Sequence, residues 1–269
     1  MDWAKAKTIL IVILLFLNGF LFYTIINANS NNKATDYNRL ALEYLNSRNI
    51  VLKADFSDVP ATAGRIEYET RNLDLNRISM SVLKTKINPV STGDSIIYTH
   101  EGRSIELTDE ELIIKDRIND ENDLINDQDR FLQMIYTYIT GLGYSKDEIS
   151  LEYQKKSGEE IELGFLLKYK DALLFDHEIK ASLDKSGMLS LVLPNKKVKR
   201  HKVPTEVISA YQILVMAGLP EGSVVESVDF GYRQLVEDEF YDTPVWRILI
   251  EGCERPIFYN ACTGEKIKD

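Results

Sequence analysis

Residues 161–183 read IELGFLLKYKDALLFDHEIKASL. This stretch gives two consecutive apolar strands, 161–169 and 173–183, and is followed by the turn Lys185-Ser186-Gly187. Ahead of it lie a strand near 149–155 and a helix at 129–142, where Phe131, Met134, Ile135, Tyr138, Ile139 and Leu142 recur at helical spacing. Behind it the same order returns. A helix over 206–217, capped by Thr205, buries Val207, Ile208, Tyr211, Val215 and Gly218; strands follow near 224–236, 245–251 and 256–260, and Thr263-Gly264 closes the run. Gly143 to Pro220 and Gly187 to Gly264 have the same spacing, so helix ends and closing turns keep one register. Segments 129–203 and 204–269 are therefore expected to be two α-β-β-β units in tandem. Each would lay its helix on an antiparallel sheet, an α+β architecture.

Moving toward the N-terminus, 116–128 is expected to be an acidic linker, carrying Asp116, Asp120, Glu121, Asp123 and Asp127. Asp120, Asn122 and Asp123 offer oxygens for calcium, but the stretch lacks the turn glycine and spaced Glu of an EF-hand loop. Segment 36–115 reads as a smaller α+β unit. Its helix carries the stripe Tyr37, Leu40, Ala41, Tyr44 and Leu45, capped by Thr35 or Asp36. Alternating positions in Ile66/Tyr68/Thr70 and Ile78/Met80/Val82, together with 95–99 and 112–115, are expected to be strands. Residues 27–35 form a polar linker.

The segment before that linker is unlike the rest. Residues 8–26, TILIVILLFLNGFLFYTII, hold no charge. As a helix they span roughly 28 Å, about the hydrocarbon thickness of a bilayer. Lys5 and Lys7 precede the run, and the first cation after it is Lys33. The positive-inside bias then keeps tail 1–7 in the cytoplasm and places the ectodomain outside. A cleaved signal peptide is the rival reading, but the run is too long for one and Ile26-Asn27-Ala28 is a poor cleavage site. Within the run, Asn18 beside Gly19 is the polar anomaly: either a pairing interface, in which the amide bonds across to another helix and the glycine admits close approach, or an amide tolerated in mid-helix.

The net charge is −10, from 32 Lys and Arg against 42 Asp and Glu. That balance is poorly suited to a nucleic-acid backbone, so no nucleic-acid partner is expected. With 2 Cys and 3 His, neither a disulfide scaffold nor a multi-ligand zinc site is expected. The sequence holds no G-x-S-x-G elbow, H-E-x-x-H helix or phosphate-binding G-x-x-x-x-G-K-[ST] loop. Gly141-Leu142-Gly143 ends a helix and leads into a strand, the wrong order for dinucleotide binding. Asp176-His177-Glu178 is the most reactive-looking triplet. Strand alternation would put Asp176 and Glu178 on one face and leave His177 a surface histidine on the other. The basic run 196–202, KKVKRHK, reads as a solvated loop, with docking of an acidic partner or anionic polymer as the alternative. Cys253 and Cys262 are separated around a hairpin turn and are expected to be free thiols. No catalytic, cofactor-binding or metal-ligating residue emerges.

Met1-Asp2-Trp3, Lys7-Thr8-Ile9 and Leu17-Asn18-Gly19-Phe20-Leu21 resemble the N-terminal signature of the YycI family. The last hairpin, Pro244-Val245-Trp246-Arg247-Ile248 through Tyr259-Asn260-Ala261-Cys262-Thr263-Gly264-Glu265, resembles the end of PepSY-type modules. The resemblance implies a single-pass plasma-membrane protein without catalytic activity or cofactor. Its partners would be the sensor histidine kinase of the Yyc/Wal two-component system and a YycH-like protein, in control of cell-wall homeostasis. Asn18 and Gly19 would pack on partner helices, and Trp3 and Lys7 would hold the helix in place. The alternative is a tethered PepSY-like inhibitor or chaperone of a secreted protease.

Overall fold

The computed structural model describes residues 3, 11–20, 32–53, 56, 60–119, 121–201, 203–235 and 241–268. An apolar helical stretch occupies residues 11–20. Helix α1 (Asn32–Ser47) then leads to β1 (Val51–Leu52), β2 (Thr62–Ala63) and β3 (Ile66–Thr70). Next come α2 (Leu75–Leu83), β4 (Val90–Thr92), β5 (Ser95–His100), β6 (Arg103–Leu107) and β7 (Glu111–Arg117). Helices α3 (Glu121–Asn126) and α4 (Gln128–Gly141) precede β8 (Ile149–Ser157), β9 (Glu160–Tyr169), β10 (Ala172–Asp184) and β11 (Met188–Pro194). The remainder is β12 (Lys196–His201), β13 (Thr205–Glu206), α5 (Ala210–Met216), β14 (Val224–Arg233), β15 (Tyr241–Ile250) and β16 (Ile257–Asn260).

One 14-stranded sheet runs in the order β12-β3-β15-β14-β10-β11-β7-β6-β5-β4, with β9, β8, β16 and β1 attached to it. Its hub is β10, whose 13 residues are enough to serve two partners along one edge. Leu173 and Leu174 pair in parallel with Gly231 and Tyr232 of β14. Further along, Lys180 to Leu183 pair antiparallel with β11. The β14 approach depends on a glycine, because a Cβ on Gly231 would lie 2.3 Å from the Leu173 carbonyl oxygen. The two α-β-β-β segments thus share a sheet through β10 and β14, and the N-terminal segment joins it through β7–β11 and β3–β15. The sheet is mostly antiparallel, with parallel pairing at β10–β14 and β1–β14.

Helices cover the sheet through apolar stripes. In α4, Phe131, Ile135 and Ile139 are fully buried, and the Asp127 carboxylate caps its start by accepting from the Arg130 amide at 3.0 Å. Helix α1 packs on α5 with Ala41 and Leu45, whereas Tyr37, Leu40 and Tyr44 of the expected stripe are exposed. Several other elements differ from expectation. Ile78 and Val82 lie on α2, not on a strand: three alternating positions are too short a pattern to exclude a helix, and Asp74 caps its start by accepting from Arg77 N–H at 3.0 Å. Helix α5 starts after Ser209, which forms a capping box with Gln212, because Thr205 and Glu206 are drawn into pairing with β2. Its core residues are Ala210, Ile213 and Leu214. The acidic stretch is also more structured than a solvated linker. Asp116 is buried, bound by Arg103 Nε at 2.9 Å and by the Tyr138 hydroxyl at 2.9 Å, while Leu124 and Ile125 of α3 enter the core. Asp120 lies outside the described residues. The basic run is the edge strand β12, paired with β3, and Lys202 lies outside the described residues.

Candidate functional site

Strand β10 does not alternate cleanly through the triplet. Its register with β9 jumps from Leu174–Leu167 to Glu178–Leu166, leaving Phe175, Asp176 and His177 as a bulge. A bulge re-aims side chains, and here Asp176, His177 and Glu178 all line one cleft of about 980 Å³. Its other walls come from β3 (Tyr68, Glu69, Thr70), the turn entering β7 (Asp109, Glu110, Glu111), the β11–β12 crossing (Pro194, Lys196) and the start of β15 (Tyr241, Asp242). The expectation of a surface histidine is therefore corrected. The His177 side chain is 12% exposed, and the broken alternation turns it inward.

At the floor, Tyr68, His177 and Asp242 form one cluster. The His177 and Tyr68 rings lie 4.4 Å apart at 56°. The Tyr68 hydroxyl donates to Asp242 Oδ2 at 2.5 Å, and His177 Nε2 stands 3.7 Å from the same oxygen. Burial, reinforced by the charge of Asp242, pushes the Tyr68 phenol far above its usual value, so it stays a neutral donor. Asp176 accepts from the Gln234 amide at 2.7 Å and faces Arg233 Nε at 3.6 Å. Desolvation still raises its carboxyl above the usual aspartate value. Acidic groups outnumber basic ones around the cleft, and the lysines are engaged: Lys180 pairs with Glu178 at 3.3 Å and Lys196 with Glu110. Among the described residues, no group of three or more His, Cys, Asp or Glu side chains is placed to hold a metal ion.

Near the bulge is a second polar cluster. Arg247 lies 4.8 Å over the Phe175 ring, donates to Asp229 Oδ2 at 2.8 Å, and forms a two-pronged pair with Glu152. Asp229 and Arg247 face each other in the β14–β15 ladder. Hairpin register read from the sequence would have suggested that contact, whereas Glu152 is too distant in the chain to infer.

The residues expected to act in the membrane lie elsewhere. Asn18 and Gly19 fall in the helical stretch 11–20, which is exposed throughout, and nothing approaches within 4 Å of a Cβ placed on Gly19. Trp3 is helical and exposed; Lys7, with residues 8–10 and 21–26 of the apolar run, lies outside the described residues. Among the described residues no helix is long and apolar enough to cross a membrane. Cys253 is exposed and Cys262 half-buried, both as free thiols.

Fold and cleft together define a mixed α+β protein with few helices, built on one large sheet. Among solved structures, it is similar to the C-terminal domain of Bacillus megaterium YpeB, at 15% identity over 74% of this chain and 96% of that chain, with a TM-score of 0.48. No curated protein matches it by sequence. The chain belongs to the YycI family, matching the family described as YycI protein over residues 28–261. YycI is a regulatory family, not an enzyme family.

Proposed function

We propose that this chain is a non-enzymatic, membrane-anchored regulator of a Yyc/Wal-type two-component system. Tail 1–7 is cytoplasmic, 8–26 is the single plasma-membrane span, and the ectodomain is extracytoplasmic, its segments 36–115, 129–203 and 204–269 acting as one body. The span contacts the transmembrane helices of the sensor histidine kinase, in company with a YycH-like protein. Asn18 and Gly19 provide a polar and close-packed contact, and Trp3 and Lys7 fix the helix at the interface.

Family membership over residues 28–261 carries this reading. The uncharged run 8–26 and the exposed apolar helix at 11–20 support the membrane part of it. A partner that binds the two kinase states with different affinity shifts their populations by that difference. The test scrambles residues 8–26 at constant composition and reads a reporter promoter of the kinase, with membrane fractionation alongside. Loss of regulation with the ectodomain still anchored supports the helix contact. Full regulation by the scrambled chain overturns it.

A further inference from the structure

The helix-mediated reading makes no use of the cleft at the β10 bulge. We propose that this cleft binds an organic polycation, a ligand whose ammonium groups are carried on aliphatic stems. The cavity is about 980 Å³, of the size that holds a flexible small ligand or a few residues of peptide. Its floor is aromatic. Tyr68 and His177, their ring centroids 4.4 Å apart and tilted at 56°, both line it and offer aromatic surface to a cation and the aliphatic stem behind it.

Charge then selects the sign of the ligand. Both lining lysines are already paired, with Glu178 and Glu110, so neither is left for an anion. Around the mouth, Glu69, Asp109 and Glu111 are exposed, and among the described residues their carboxylates take part in no ion pair. Asp176, its side chain 37% exposed, adds a further carboxylate to the lining, its carboxyl raised above the usual aspartate value by desolvation, a cost that an incoming ammonium would offset. A compact metal ion fits less well, because no three acidic or histidine groups converge among the described residues. Carboxylates contributed by separate strands around one cleft match several charges carried on one chain. The bulge makes the arrangement possible, since strict alternation would have turned His177 away from Asp176 and Glu178.

Lysine side chains of a peptide and a free polyamine present the same chemistry, and separate arms tell them apart. The full chain, in non-ionic detergent at low salt, is titrated calorimetrically with spermidine, with acetyl-Lys-Gly-Lys-amide, and with that peptide after acetylation of both lysines. Chemical shifts of the His177 and Tyr68 rings locate the site. The expected result is 1:1 binding of spermidine or of the lysine peptide, shifted rings, and no binding of the acetylated peptide. Glu69→Gln with Asp176→Asn weakens that affinity at least about tenfold, and Glu69→Gln alone, at the exposed rim, moves it the same way. Glu43→Gln with Glu254→Gln, exposed and outside the cleft, removes equal charge and leaves affinity within about twofold. Absence of binding by both cations overturns the proposal, as does an equal loss in the distant pair or unchanged affinity in the cleft pair. These outcomes are independent of whether residues 8–26 contact the kinase.

Discussion

Asp176 and Arg247 show how single side chains at the bulge set stability. The Asp176 carboxyl is raised from 3.8, chiefly by desolvation, with the Gln234 amide opposing and Asp242 adding to the shift. Between 3.8 and its raised value the folded chain therefore holds more protons than the unfolded one, so stability falls as pH rises through that window. Asp176→Asn keeps an acceptor for Gln234 and removes the charge. It is expected to flatten this fall and to be at least as stable as the wild type at neutral pH, read from urea midpoints across pH; an unchanged slope contradicts the assignment. Arg247→Leu acts in the opposite direction. It strands Asp229 and Glu152, each partly open to water, and should cost about 2–3 kcal/mol in urea unfolding, less than a fully buried pair. The sequence flagged Asp176, His177 and Glu178 but put them on opposite faces, because alternation carries no sign of a bulge. Tyr68 and Asp242 went unnoticed as partners, since nothing local links residues 174 apart in the chain.

Among the elements, packing faces were legible where apolar residues recur over several turns. Phe131, Met134, Ile135, Tyr138, Ile139 and Leu142 announce α4 because apolar residues at both i+3 and i+4 do not fit strand alternation. On α1 only Ala41 and Leu45 of the apolar stripe are buried, while Tyr37, Leu40 and Tyr44 face outward, and mutation separates the two sets. Leu45→Ala should cost about 2–4 kcal/mol, and exposed Leu40→Ala less than about 0.5 kcal/mol, by urea denaturation. Short elements were the ones misassigned. Ile78, Met80 and Val82 alternate, yet 78 and 82 are also one helical turn apart, and the Asp74 cap decides for the helix. The seam between β10 and β14 rests on Gly231, where a methyl group would meet the Leu173 carbonyl oxygen at 2.3 Å. Gly231→Ala should destabilise by at least about 2 kcal/mol and lower amide protection at Leu173 and Tyr232, because backbone has to move to admit it.

The whole sheet was the least legible level. Helix-plus-strand segments were readable, but the joins β7–β11, β10–β14 and β3–β15 pair residues from separate segments, and periodicity within a segment says nothing about its neighbours. One continuous sheet implies one cooperative unfolding transition by calorimetry for the ectodomain of the full chain; separate transitions for 36–115, 129–203 and 204–269 would show that the seams are weak. The regulatory role is tested most directly by association in the membrane. The full-length chain is co-expressed with the Yyc/Wal-type sensor kinase of its own genome and the YycH-like protein, and contact is read by a membrane two-hybrid assay. Parallel arms carry Asn18→Leu, an unrelated transmembrane helix in place of residues 8–26, and a deletion of the ectodomain. Association that survives the deletion, weakens with Asn18→Leu and disappears with the foreign helix is the predicted result. No association in the intact chain, or undiminished association with the foreign helix, would contradict a regulator that acts through its membrane span.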